Sequence, residues 1–352
     1  MTELKTRRIQ ALFLVASVPL GLLLGQWIKT ESASEVSHLV EVYLLPLFFV
    51  GVGLELRHEF SVGYFKVRSN ILPPLIAAVF GVVGPALIFI AVAGSDGGAW
   101  SIPTATDITL GLAVLSFVAV GLSSELRARF LALATIDDVI GLLILLVVFS
   151  GELSWLAGLV TLLALVIFHY AQKLPAQLRY VAFLAGIVAI AAGAESGIQT
   201  SLIGVLVGLL ISKSELFKWL EPVNGWIILP LFGFFISAVA AASFAGGITA
   251  VVLSALLLRP LGKLIGILVG GSVASRIINH QWDLRSWMAI GLLGGIGFTV
   301  SFLLAKLAYA GQQQSYGAAV LGTLGATAIS TLAFLAFSFF RGRLERQGER
   351  SL

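Results

Sequence analysis

Ser101-Ile-Pro-Thr-Ala-Thr-Asp107-Ile-Thr-Leu-Gly111 places a carboxylate, a proline and two threonines, Thr104 and Thr106, inside a long apolar segment. A second apolar segment carries Ala134-Thr-Ile-Asp-Asp-Val-Ile-Gly141, with Asp137 and Asp138 side by side. An ionised carboxylate at the centre of a bilayer costs about 2.5–3.5 kcal/mol on insertion scales, so such groups face a watery cavity or a basic partner. Service as partners for basic groups is the plainer reading of any one acid. Three of them, with Pro103 and threonines beside the first, point instead to a site for a cation and protons.

The surrounding composition is that of an integral membrane protein. Of 352 residues, 58% are hydrophobic and 11% charged, against about 25% charged in soluble domains. Repeated apolar runs of about 18 residues or more indicate membrane helices. Twelve spans are predicted, over residues 9–28, 37–56, 71–94, 102–122, 128–150, 154–171, 178–194, 198–212, 224–245, 248–274, 287–309 and 316–340. Connections are short, so residues 1–352 read as a single transmembrane transporter domain with no extramembrane domain. The absence of cysteine excludes disulfides and thiol chemistry. No cofactor is implied, and the four histidines show no metal-ligand spacing.

The formal net charge of +4 would suit nucleic acid, but the basic residues are spread over short loops as membrane topology requires. Eighteen of the twenty-two Lys and Arg fall at the two termini and in the loops after even-numbered spans, while Glu31, Glu35, Asp96, Glu152 and Glu195 lie on the opposite side. Both termini are therefore predicted to be cytoplasmic. The apolar run after Lys5, Arg7 and Arg8 has no small-residue cleavage site and reads as a retained first helix.

Two spans carry helix-breaking signals. Pro103 removes a backbone donor and disfavours helix at Ile102 in the fourth. Glycines crowd Gly291-Leu-Leu-Gly-Gly-Ile-Gly-Phe-Thr299 in the eleventh. Taken alone, Gly291-x-x-x-Gly295 and Gly204-x-x-x-Gly208 suit close helix packing. However, the fourth and eleventh spans are the middle members of triplets that start on opposite sides of the membrane, near residues 71–150 and 248–340. Paired broken helices in inverted repeats are the mark of a transporter site at the midplane. Crossed half-helices bring together positive N-terminal and negative C-terminal ends, and Asp107 and Arg259 are candidates to balance them. Asp137 and Asp138 diverge by about 100° on a helix, so one is expected to line an ion path while the other meets a base from the tenth span. That span holds Arg259, which needs a carboxylate or carbonyl partner, and Lys263, which either joins it or snorkels toward the cytoplasm. A carboxylate that binds H+ or a cation, never both, provides exchange by itself.

These motifs resemble the NhaA family of bacterial sodium/proton antiporters. The similarity rests on Ala105-Thr-Asp107-Ile, Ile136-Asp-Asp138, Arg259-Pro-Leu-Gly262, Gly295-Ile-Gly-Phe-Thr-Val-Ser301, Phe48-Phe-Val-Gly-Val-Gly-Leu-Glu-Leu56 and Gly197-Ile-Gln-Thr200. It implies an all-α fold of about twelve transmembrane helices, with inverted repeats and crossed, discontinuous fourth and eleventh helices. It implies exchange of Na+, and of Li+, for H+ across the bacterial inner membrane, with Asp138 and Asp137 binding cation and proton. Asp107, Thr106, Arg259, Gly295 and Gly297 are implied as crossing and support residues. Glu55, His58, Glu59 and Glu221 stand where the family's pH response lies. The family has lysine at the place of Arg259, and a guanidinium keeps its proton, so Arg259 reads as a fixed counter-charge, expected to pair with Asp137. Loop 29–36 is short for the hairpin through which family members dimerise, which weakens the expectation of a homodimer.

The alternative is a proton- or sodium-coupled symporter for a small solute, which would require solute-recognition groups beyond acids and threonines. An intramembrane aspartyl protease would need an aspartate after Gly295-Ile-Gly297, and none follows.

Overall fold

The computed structural model describes residues 2–25, 40–61, 71–93, 98–117, 124–151, 154–212, 218–243, 254–278 and 283–350, with a few isolated positions besides. Among them every regular element is a helix, and there is no strand. The principal helices are α1 Thr2–Gly25, α2 Leu45–Ser61, α3 Leu72–Ala93, α4 Ile108–Phe117, α5 Ser124–Val148, α6 Trp155–Ala171 and α7 Tyr180–Glu195. They continue with α8 Thr200–Leu210, α9 Leu229–Ser243, α10 Arg259–Ile278, α11 Leu284–Gly294, α12 Thr299–Ala308 and α13 Gln313–Arg350. Each of the twelve predicted spans falls on one helix or on an interrupted one. Leu72–Val92, Glu125–Val148, Leu220–Ser243, Leu256–Ile277 and Gln313–Phe340 are each long and apolar enough to cross a membrane. Helices α11 and α12 qualify together as a span bent by 52°. At about 1.5 Å per residue, the eleven residues of α8 reach only about 16 Å. Most of loop 29–36 lies outside the described residues, as do Lys66, Arg68 and Lys213 of the predicted cytoplasmic loops and Glu31, Asp96 and Glu152 opposite them.

Prolines shape three entries into helices. Wide π-turns occur at Val40–Leu44, Asn224–Ile228 and Ser254–Leu258, each ending two residues before Pro46, Pro230 or Pro260. A proline lacks the amide hydrogen and its ring crowds the carbonyl four residues back. Those carbonyls belong to Val42, Trp226 and Leu256, which all lie within the widened turns. The third π-turn delivers Arg259 at the first position of α10.

The helices group into two compact units. One comprises Met1–Ala11, Val67–Gly141 and Ser243–Leu352; the other comprises Leu12–Lys66 and Leu142–Ala242. In the first, α3 and α10 make the most extensive helix pair. Gly262, Gly266 and Gly270 present one bare face of α10 to α3. A Cβ on Gly262 would stand 2.6 Å from the Pro85 Cα, one on Gly266 would overlap the Phe80 carbonyl, and one on Gly270 would stand 2.8 Å from the Ala77 Cα. Lipid is as apolar as leucine, so such helices associate through packing, and small residues let the backbones touch. In the second unit α2 and α8 use the same device, with Gly208 against the Val50 carbonyl and Gly204 against that of Pro46. The Gly204-x-x-x-Gly208 spacing therefore serves packing. The outward faces carry exposed Leu, Val, Ile and Trp side chains, among them Trp155, Leu156 and Leu162 on α6. That surface suits hydrocarbon.

Candidate functional site

Two helix interruptions face each other inside the first unit. The first starts as a 3-10 turn over Ala99–Thr104, runs extended at Ala105 and restarts as α4 at Ile108. Ser101 and Thr104 turn their hydroxyls back on the carbonyls of Gly98 and Ser101, at 2.6 Å each, and so close the turn that Pro103 cannot extend as helix. The second runs from Gly295 to Phe298, between α11 and α12. The segments are joined directly: Asp107 donates its backbone N–H to the Ile296 carbonyl at 2.9 Å, and the Thr106 hydroxyl donates to the Gly294 carbonyl at 2.8 Å. Non-helical backbone at membrane depth persists only where protein or a cavity satisfies it. Here each break satisfies the other.

Asp107 serves both restarting helices. Its Oδ1 accepts from Leu110 N at 2.8 Å; its Oδ2 accepts from Thr299 N at 3.3 Å and from the Thr299 hydroxyl at 3.1 Å. One carboxylate thus caps the N-termini of α4 and α12, where unsatisfied N–H groups and the helix dipole both favour negative charge. Arg259 does the converse for the ends that stop. Its Nε donates to the Gly295 carbonyl at 3.0 Å, and its Nη1 to Ser301 Oγ at 2.9 Å and to the Ile102 carbonyl at 3.4 Å. Its Nη2 donates to the Ala105 carbonyl. The guanidinium is fully buried, and its planar fork reaches carbonyls of both interruptions, which a single ammonium does not. Gly297 is required beside it, because a Cβ there would occupy the guanidinium's place. Gly295 likewise leaves no room for a side chain, since a Cβ would collide with Ser330 Oγ.

The expected Asp137–Arg259 pair is not formed. Lys263 takes that carboxylate, its Nζ donating to Asp137 Oδ2 at 2.6 Å with both side chains at 0% exposure. The alternative that Lys263 snorkels to the cytoplasm is also overturned. The reason is geometric: Arg259 and Lys263 lie one turn apart on a shared face of α10, and the carbonyls of the crossing occupy the arginine first. Asp138, next in sequence on α5, is buried at 7% exposure; successive helical residues point about 100° apart. The base from α10 that meets Asp137 is therefore the lysine.

Thr106, Arg259, Asp107, Gly295 and Gly297 all meet at the crossing. Thr299 and Ser301 belong to it as well; they sit within a motif read from the sequence but carried no assigned role. Thr327 on α13 also reaches it, with no sequence signal to announce it. Glu55, His58 and Glu59 lie together on α2 and Glu221 on the turn Leu220–Val223, all in the second unit. Glu59 is buried while His58 and Glu221 are exposed.

The profile of the family described as Na+/H+ antiporter 1 matches residues 10–337. The chain belongs to this family. Among curated relatives, a Na+/H+ antiporter NhaA 2 from Clavibacter michiganensis subsp. michiganensis is 32% identical over 95% of this chain and 88% of its own length. The NhaA of Tropheryma whipplei strain Twist is 28% identical over 97% of this chain and 96% of its own. That of Mycolicibacterium smegmatis is 32% identical over 82% and 72%. Among solved structures, the sodium proton antiporter MjNhaP1 from Methanocaldococcus jannaschii superposes with a TM-score of 0.57, covering 96% of this chain and 99% of that one at 18% identity. The family's members are multi-pass membrane transporters, and the interrupted helices and buried acids of this chain fit that architecture.

Proposed function

We propose that this protein is a secondary active antiporter exchanging Na+, and also Li+, for H+ across the bacterial inner membrane. Both termini face the cytoplasm, and the segments 71–150 and 248–340 act as inverted repeats around a fixed central site. The observation that carries the mechanism is the placement of two buried carboxylates, Asp137 and Asp138, side by side on α5, with Lys263 on Asp137, in the unit that holds the crossing. Asp138 is the principal cation ligand and proton acceptor. Asp137 is the second carboxylate, paired with the Lys263 ammonium. A cation that engages both acids displaces protons, and protons that bind them displace the cation. The two species are thus carried in alternate states of one site.

Asp107 accepts from the N-terminal amides of two half-helices and Arg259 donates to the carbonyls where the others stop, so together they hold the crossing in register. They are support, not carriers. Glu55, Glu59, His58 and Glu221 are proposed to set the pH response, with Glu55 and Glu59 one turn apart on one face of α2. The short loop 29–36 argues against the hairpin-mediated dimer of family members. A symporter reading finds no support, since every relative named above is an antiporter. The same relatives are transporters rather than enzymes.

Reconstitution tests the proposal. Proteoliposomes acidified inside and loaded with a pH-quenched dye should recover fluorescence on adding Na+ or Li+ with no organic solute present. Recovery that requires an organic solute, or none with any alkali cation, would contradict it.

A further inference from the structure

We infer that Thr327 is a positioning residue for the cation site, acting through the second interruption. The inference rests on the antiport reading and adds to it a residue outside the family motifs.

Gly297 lies between α11 and α12, where its peptide groups belong to no helix. One side chain meets both of them. The Thr327 hydroxyl donates to the Gly297 carbonyl at 2.6 Å and accepts from Gly297 N at 3.1 Å. That is not the ordinary use of a helical hydroxyl. Elsewhere in this chain Thr161, Ser237, Ser272 and Ser275 bond the carbonyl four residues back in their own helices, the default in a helix interior. Thr327 instead reaches across to another element. One turn further along α13, Ser330 Oγ sits against Gly295, close enough that a Cβ there would collide with it. Helix α13 therefore packs against Gly295 and hydrogen-bonds Gly297.

The consequence is carried along two residues of chain. Gly297 leads through Phe298 to Thr299, whose N–H and hydroxyl hold Asp107 Oδ2. On its other side Gly297 borders the Arg259 guanidinium. A shift of the Gly297 peptide moves the start of α12 relative to Asp107 and loosens the frame that aligns the crossing. The Thr327 clamp fixes that peptide, so it sets how well the site is preorganised for the cation.

The test compares Thr327→Val, which keeps shape and loses the hydroxyl, with Thr327→Ser, which keeps the hydroxyl. Thr327→Ala serves as a second deletion if the valine variant is not recovered from membranes. Na+-dependent dequenching is titrated in proteoliposomes alongside thermal stability in detergent. The deletion removes both bonds to Gly297, and if the equivalent of one of them is felt at the cation site, the Na+ concentration for half-maximal rate rises roughly three- to tenfold. The valine or alanine variant should show that rise with the maximal rate little changed, and the serine variant should match the parent. A merely structural role would lower the melting temperature and the yield without moving half-saturation. Parental half-saturation in the valine or alanine variant, or equal shifts in valine and serine variants, overturns the inference alone. A parent protein with no Na+-dependent signal would overturn the antiport reading and this inference together.

Discussion

Lys263 and Asp137 form an ion pair at 2.6 Å in which neither side chain is exposed. Two charges taken out of water recover their desolvation cost only through each other, so losing one partner strands the other. One turn away, Arg259 spends its donors on backbone carbonyls and Ser301. Two bases on one helix face thus divide the work, the lysine on a carboxylate and the arginine on the frame.

Removing the lysine should be costly and removing the pair should not. Lys263→Met is expected to destabilise by about 3–5 kcal/mol, read as a large fall in melting temperature in detergent. Adding Asp137→Asn should recover most of it, because the stranded charge is gone. If the double variant is no more stable than the single one, the pair does not hold the fold in this way.

Arg259→Lys should separate frame from carrier. A lysine has three donors and no planar fork, and it forfeits at least the bonds to Ile102, Ala105 and Ser301 that need the far end of the guanidinium. Each hydrogen bond from a charged group contributes roughly 1.5–3 kcal/mol, so a clear loss of stability is expected, and a larger one for Arg259→Ala. Exchange should persist in Arg259→Lys because the Lys263–Asp137 contact remains. Parental thermal stability in both variants would show that the guanidinium's bonds to the two interruptions contribute nothing.

Much of this arrangement was legible in the sequence. Buried acids, Pro103 and the glycines around Gly295 announced the interruptions and their crossing, since polar groups and helix breakers at membrane depth have few uses. Asp107 and Arg259 were recognisable as balancing charges for the half-helix ends. The partner of Asp137 was not, because Arg259 and Lys263 share a helix face and only the positions of the carbonyls decide between them. Thr327 was invisible for a related reason: a threonine in an apolar helix back-bonds to its own helix in most settings, and spacing does not show a hydroxyl that reaches across. The π-turns before Pro46, Pro230 and Pro260 were likewise hidden, since proline marks a disturbance without stating whether the helix kinks, ends or widens.

Asp107→Asn keeps an acceptor but loses the charge that faces two helix N-termini. Each such charge–dipole contact contributes about 0.3–1 kcal/mol at exposed sites and up to about 2 when partly buried. Apparent Na+ affinity and thermal stability should fall together while turnover continues. Complete loss of turnover at unchanged stability would make Asp107 an essential ligand instead.

Gly297→Ala should be among the most damaging small substitutions in the chain. Its Cβ would collide with the Arg259 guanidinium, and the side chain has no room to turn because its donors are fixed on both interruptions. The variant is expected to show low yield and a much reduced melting temperature. Yield and stability like the parent's would mean that the crossing can open at Gly297.

The most direct test is Asp138→Asn in proteoliposomes, set beside the parent protein and scanned with Na+, Li+ and K+ from about pH 6 to 9. Asparagine matches the carboxylate in volume and cannot ionise, so it neither balances a cation nor takes up a proton. The parent should dissipate a pH gradient on adding Na+ or Li+, and the variant, with the parent's melting temperature in detergent, should not respond to either cation at any pH. Na+-driven proton movement that survives in Asp138→Asn would contradict the account.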